Sequence, residues 1–178
     1  MRYKVISGLV LLGALLAPIV AAAGWGDFDY KFDNDKPWKE LRAKLPPPPV
    51  AKNQLPFAVS PATDNKFYVD APSISIGKDG VIRYTLVIQS PSGARNVTFE
   101  GMRCRTEEYK VYAYGRDNGA WDKAQGGKWR PIRYHDLNRP RHVLYDDFFC
   151  PRQILVRSAA QAIQALKYPA SHDPSMMF

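Results

Sequence analysis

The chain has 178 residues, 46% of them hydrophobic and 12% aromatic, with 15 prolines, 12 glycines, two cysteines and a formal charge of +8. This composition excludes a collagen, a coiled coil and a disulfide-dense miniprotein, and it fits one turn-rich, β-containing domain with a core of its own. The basic excess is moderate rather than extreme.

Arg2 and Lys4 open the chain, Val5 to Val20 is apolar almost without a break, and Ala21-Ala22-Ala23 supplies small residues of the cleavage-site kind. Residues 1–23 therefore read as a secretory signal peptide cut near Ala23. A retained anchor would need a longer apolar run, without Pro18. The leader takes two of the 25 basic residues with it and leaves a mature charge of about +6. No cysteine stands near the cut, so a lipid anchor is not expected, and no later segment has the length and apolarity of a membrane span. Export would place Cys104 and Cys150 where thiols oxidise, and two cysteines allow one pairing. Such a bridge closes a loop of about 47 residues, worth about 4 kcal/mol on the chain-entropy relation. The alternative is a pair of buried free thiols.

Residues 24–55 are expected to form an aromatic and Pro-rich N-terminal arm. Asp27 to Asp33 alternates charge with Phe28, Tyr30 and Phe32, which suits a segment laid on the domain's own sheet or, alternatively, docked on another envelope protein. Asp35 as a cap and Pro37 in a first turn predict a short helix with Trp38, Leu41 and Leu45 on one stripe. Pro46-Pro47-Pro48-Pro49 must run as polyproline II, a stiff spacer.

Residues 56–168 predict a single α+β domain, a twisted antiparallel β-sheet packed by a C-terminal α-helix. Ser73 to Ile76 alternates, Lys78-Asp79-Gly80 turns, and Val81 to Gln89 is the strongest strand. Its residues Ile82, Tyr84, Leu86 and Ile88 are expected to face the core, and apolar side chains on both faces place it centrally. In the next strand, Arg95 to Arg105, the inward pattern changes parity between Phe99 and Met102, which predicts a bulge at Gly101. Tyr109 to Tyr114 follows, closed by Arg116-Asp117-Asn118-Gly119 and a Gly-rich loop with Trp121 and Trp129. Val143, Tyr145, Phe148 and Phe149 favour extended structure. Between Pro151 and Pro169, the residues Ile154, Leu155, Ala159, Ala162, Ile163 and Leu166 predict an amphipathic helix of about four turns. Residues 169–178 lack periodicity and read as a flexible tail.

No zincin, nucleophile-elbow, phosphate-loop or dinucleotide pattern is present. If extended, His142 and Asp146 share a face about 13 Å apart, too far for one metal, so no metal site and no cofactor are expected; in a helix they would be neighbours. Glu107 and Glu108, adjacent on a strand, point to opposite faces and cannot converge on one sugar. The densest basic stretch holds Lys128, Arg130, Arg133, Arg139 and Arg141, interleaved with Trp129, Tyr134 and Tyr145. Cations among aromatic faces hold phosphates or acidic glycans, so these five are the anion-binding candidates; the plainer reading is a solvated loop.

The run Phe99-Glu100-Gly101-Met102-Arg103-Cys104-Arg105-Thr106, then Glu108-Tyr109-Lys110 and Tyr112-Ala113-Tyr114-Gly115, with Trp129, Cys150 and Ala159-Ala160 further on, resembles the cryptic neisserial protein family. The resemblance spans roughly residues 60–167. It implies an exported protein of Gram-negative bacteria, a periplasmic setting and a shared fold, and it assigns no activity and no functional residue. Some members look lipid-anchored, whereas this chain lacks the lipid-bearing cysteine. The expected role is a non-catalytic binding or scaffolding module of the cell envelope. Its partner would be an envelope component or protein, with an anionic glycan or lipid headgroup as candidate ligand in preference to nucleic acid. The alternative is an envelope hydrolase acting on glycan or peptidoglycan through Glu100, Glu107, His142 or Asp146.

Overall fold

The structure is a computed structural model that describes residues 37–132 and 139–169. The leader, the Phe28, Tyr30 and Phe32 pattern, Arg133, Tyr134, His135 and the tail beyond Pro169 lie outside the described residues. From Trp38 onward the chain forms one compact unit.

Seven strands build one antiparallel sheet: β1 (Gln54–Phe57), β2 (Lys66–Ile76), β3 (Val81–Gln89), β4 (Arg95–Arg103), β5 (Glu108–Gly115), β6 (Trp121–Lys123) and β7 (Arg130–Pro131). The first six lie side by side in chain order, and β7 pairs with β5. This is the antiparallel α+β architecture that the residue pattern predicts. β3 is central, buried from Val81 through Val87, and pairs with β4 without interruption from Val81↔Arg103 to Gln89↔Arg95.

Residues directly opposite on neighbouring strands share a face, so this register sorts the sheet into two sides. Ile82, Tyr84, Leu86, Val69, Met102 and Tyr109 lie on one side, under the helices. Arg83, Thr85, Val87, Phe99, Gly101 and Arg103 lie on the other. The parity change in β4 comes from this two-sided burial and not from a bulge at Gly101. Phe99 packs on Tyr112 and Trp121, with ring centroids 5.6 and 6.2 Å away, while Met102 enters the opposite core. The irregularity falls in β5, where Tyr112 is the extra residue between the pairs Phe99↔Ala113 and Glu100↔Val111. Gly101 serves that bulge from across the ladder, because a Cβ there would lie 2.5 Å from the Tyr112 hydroxyl oxygen.

On the helix side, α1 (Arg139–Val143) continues as a wider π-helical stretch through Leu144–Phe149, in place of the extended structure expected. Packing overrides strand propensity here: Leu144, Tyr145, Phe148 and Phe149 recur at helical spacing and are all buried. Phe149 packs at a tilt against Tyr84 and Phe148 meets Phe57 edge to face, at 5.0 and 6.1 Å between centroids. The final helix, α2 (Ala159–Lys167), is shorter than the four turns expected. Arg152 and Gln153 take positive φ after Pro151, the Val156 N–H donates to Phe149 O, and Ile154 is 66% exposed. The helix begins only where Ser158 accepts the Gln161 N–H and the Gln161 side chain accepts the Arg157 N–H, a variant of the Ser-x-x-Gln capping box. A disulfide joins Cys104, just past β4, to Cys150 at the end of the π-helical stretch, with Cα atoms 5.4 Å apart. Beside it the Tyr145 hydroxyl donates to the Cys104 carbonyl at 2.9 Å.

The opposite side carries residues 38–50, an irregular strap that forms no helix. The Leu41 backbone and the Trp38 indole tie it to the β2–β3 turn and to β3. The Leu41 N–H donates to Asp79 Oδ2 at 2.8 Å, Leu41 O accepts from Arg83 Nη2 at 2.9 Å, and Trp38 Nε1 donates to Asp79 O at 2.8 Å.

Candidate functional site

Two of the five anion-binding candidates are engaged within the fold. Arg141 donates from Nε and Nη2 to the two carboxylate oxygens of Glu100, at 2.8 and 2.7 Å, and its guanidinium lies 4.4 Å from the Tyr109 ring centre. Glu100 is fully buried and also accepts from Thr98 Oγ1 at 2.6 Å and the Tyr84 hydroxyl at 3.2 Å. Burial works against the Arg141 charge, but the facing Glu100 carboxylate outweighs it and holds the guanidinium protonated above its ordinary range. Burial, and then the same carboxylate, push the Tyr84 hydroxyl well up. Glu100 is thus an internal counter-ion, with both oxygens engaged. Arg139 donates to Ser60 Oγ in the β1–β2 loop at 2.8 Å. Lys128 and Arg130 are exposed on the β7 side, and Arg133 lies outside the described residues.

Of the remaining groups weighed for catalysis, His142 and Asp146 come together, while Glu107 and Glu108 have separate partners. In the helical conformation His142 and Asp146 are neighbours, Nδ1 to Oδ2 3.0 Å, on an accessible surface. Glu107 accepts from Gln153 Nε2 at 2.9 Å, and Glu108 pairs with Arg103 at 3.0 Å. Among the described residues no three His, Cys, Asp or Glu side chains gather to hold a metal.

Trp129 does enter a cation and aromatic cluster, but the cations come from β4 and β5. The Arg103 guanidinium lies 3.8 Å from the Trp38 ring centre and 5.4 Å from that of Trp129, and the two indoles meet edge to face at 5.8 Å. Glu40 accepts from Lys110 Nζ at 2.8 Å and from Trp129 Nε1 at 3.2 Å. Burial pushes the Glu40 carboxyl up, but the hydrogen bonds from Lys110 and Trp129 and the charge of Lys110 win and hold it below its usual value. Each charge in this cluster faces an opposite one, and together they fasten the strap.

A concave apolar groove opens on the other side, between β1 and the helices. Pro56, Phe57, Ala58, Phe148, Leu166 and Pro169 enclose about 620 Å³, with Asp147 at the wall. The concavity continues around the β1–β2 loop into a second of about 760 Å³, which Phe57 and Ala58 also line and where Lys66 stands. A third, of about 370 Å³, adjoins Phe67 and Arg139. The volumes lie in the range of small-molecule sites, and the chief one is mostly apolar. β1 is the outer strand, and Pro56 within it has no N–H to offer an added strand.

Comparison with known proteins supplies a family for this geometry. Residues 33–167 match the CNP1-like family. Cryptic neisserial protein 1 of Neisseria gonorrhoeae is 33% identical over 110 residues, which is 53% of this chain and 54% of that protein. The chain therefore spans about half the length of the curated relative it matches. No solved structure matches.

Proposed function

The chain belongs to the CNP1-like family, and on that premise we propose that it is an exported, non-catalytic binding module of the bacterial envelope that holds an amphiphile in the Phe57 groove. The observation that carries this reading is the groove itself, about 620 Å³ with Pro56, Phe57, Ala58, Phe148, Leu166 and Pro169 in its wall. Pro56 disfavours capture of an extended peptide by strand addition, so the ligand is held by apolar contact. Lys66 on the adjoining wall favours an anionic end on that ligand. The leader pattern of residues 1–23 supports export to the periplasm, and so does the disulfide, a bond that persists in oxidising compartments. No helix among the described residues is long and apolar enough to cross a membrane.

The test is calorimetric titration of the chain from residue 24 with lysophosphatidylglycerol and with lysophosphatidylcholine, both as monomers. The anionic lipid is expected to bind and the zwitterionic one to bind about ten-fold more weakly, a difference of about 1.4 kcal/mol. Ala58→Trp, at an exposed wall position, should fill the groove and abolish binding with the melting temperature unchanged. Absence of binding by both lipids overturns the reading. For location, fractionation of cells expressing the full chain should recover it oxidised in the periplasm; retention in the cytosol rejects export.

A further inference from the structure

Near its end the strap runs through four consecutive prolines, Pro46 to Pro49. Each fixes its own φ near −65° and holds the residue before it extended, so residues 46–49 make no hydrogen bonds among themselves and present their carbonyls to neighbours. One carbonyl is read directly: Trp121 Nε1, on β6, donates to Pro46 O at 2.8 Å. Two residues on, Pro48 lies against Gly119, where an added Cβ would come within 3.2 Å of its Cγ. Gly119 has φ +81°, so the turn that brings β6 back beside β5 also leaves a notch for the proline ring. The Arg116–Asp122 ion pair ties the two strands of that hairpin. Behind Trp121 stands Phe99, which braces the indole from the sheet. Pro48 and Pro49 do not fill the space. Together with Arg95, Val97, Gly115 and Trp121 they border a further cavity of about 200 Å³.

An indole N–H on a proline carbonyl, with the next rings set in shallow slots beside an aromatic face, is the chemistry by which grooves recognise polyproline II segments. We propose that the Trp121 and Gly119 surface is a proline-recognition groove, occupied here by Pro46–Pro49 of the same chain, and that a proline-rich segment of a partner polypeptide exchanges with it. The cavity beside Arg95 takes the residue that flanks the partner's prolines. Tethering gives the internal segment a high effective concentration, so it masks the groove until the strap's upstream fastenings at Glu40 and Leu41 let go. This surface is independent of the Phe57 groove, and neither assignment depends on the other.

The experiment uses the chain from residue 24 in two forms, wild type and a variant with Pro46-Pro47-Pro48-Pro49 changed to Gly-Ser-Gly-Ser, titrated with decaproline and with a Gly-Ser decamer. The variant is expected to bind decaproline at least about ten-fold more tightly than wild type, because the tethered competitor is gone. The Gly-Ser decamer should bind neither. Trp121→Phe in the variant background keeps a ring and removes the N–H, and it should weaken binding about five-fold, the worth of one hydrogen bond. A folded variant that ignores decaproline overturns the proposal. If the variant does not fold, the Trp121 indole N–H resonance of a Glu40→Ala chain, whose strap has lost its fastening to Lys110, should shift in excess decaproline, and an unmoved resonance there is equally decisive against the proposal. Wild type that exchanges straps between copies without responding to decaproline overturns the assignment of the partner.

Discussion

Arg141 brings a full charge beneath the helix side, and Glu100 is what makes that tolerable. The carboxylate has no exposed surface and meets both guanidinium donors within 2.8 Å. Glu100→Gln leaves the cation buried without its counter-charge and is expected to cost about 3–5 kcal/mol in urea denaturation. Replacing both partners with apolar residues, Glu100→Leu with Arg141→Met, should recover most of that loss, since a buried pair contributes little beyond its own desolvation. Asp79 makes the corresponding decision on the strap side, and its effect depends on pH. Burial pushes its carboxyl up, but hydrogen bonds from Arg83 and the Leu41 N–H and the charge of Arg83 outweigh burial, so it titrates below its ordinary 3.8. A depressed carboxylate contributes stability that is fully present above the unfolded value and is lost as pH falls through the folded one. Acidification below pH 3.8 should therefore loosen the strap, seen as a change in Trp38 fluorescence. Asp79→Asn should reduce that pH dependence and leave the part that Glu40, also depressed, contributes to the same strap.

The elements differ in how far their neighbours along the chain define them. β3 was legible because alternation, the Asp79-Gly80 turn and apolar residues on both faces all point to one central strand. β4 was legible as a strand, but its parity change needed knowledge of what covers each face. The signal for the true bulge, at Tyr112, lies in a different strand from the glycine that accommodates it. Gly101→Ala is therefore expected to cost about 1–3 kcal/mol by overpacking against the Tyr112 ring. The same change in a Tyr112→Ala background should cost far less, and a double-mutant cycle by chemical denaturation measures the difference. The start of α2 was written locally in Ser158 and Gln161, a capping signal overshadowed by the longer apolar stripe from Ile154. In the π-helical stretch the strand propensity of the aromatic residues conflicts with their spacing, which matches one helical face, and packing decides for the spacing. The Phe57 groove had no local signal at all. Its walls come from β1, α2 and the stretch carrying Phe148, brought together only by the fold.

At the scale of the whole unit from Trp38 onward, the described residues form a sheet covered on both sides by unlike means. On one side the covering is bonded through Cys104 and Cys150 and packed with aromatic rings. On the other it is a strap held by ion pairs, indole contacts and backbone hydrogen bonds. Loss of the disulfide in a Cys104→Ser, Cys150→Ser variant should lower stability by about 4 kcal/mol, read from the denaturation midpoint. Decaproline binding by the strap-released variant should persist in that background, because the bridge fastens the other side.

The bridge also fixes what a pull on the molecule can do. β5, β6, β7 and α1 lie inside the covalent ring, while the strap, β1 to β4 and α2 lie outside it. A load applied through the N-terminal end meets the strap's separable fastenings first, and however far the chain is drawn out, the ringed segment adds nothing to its reach.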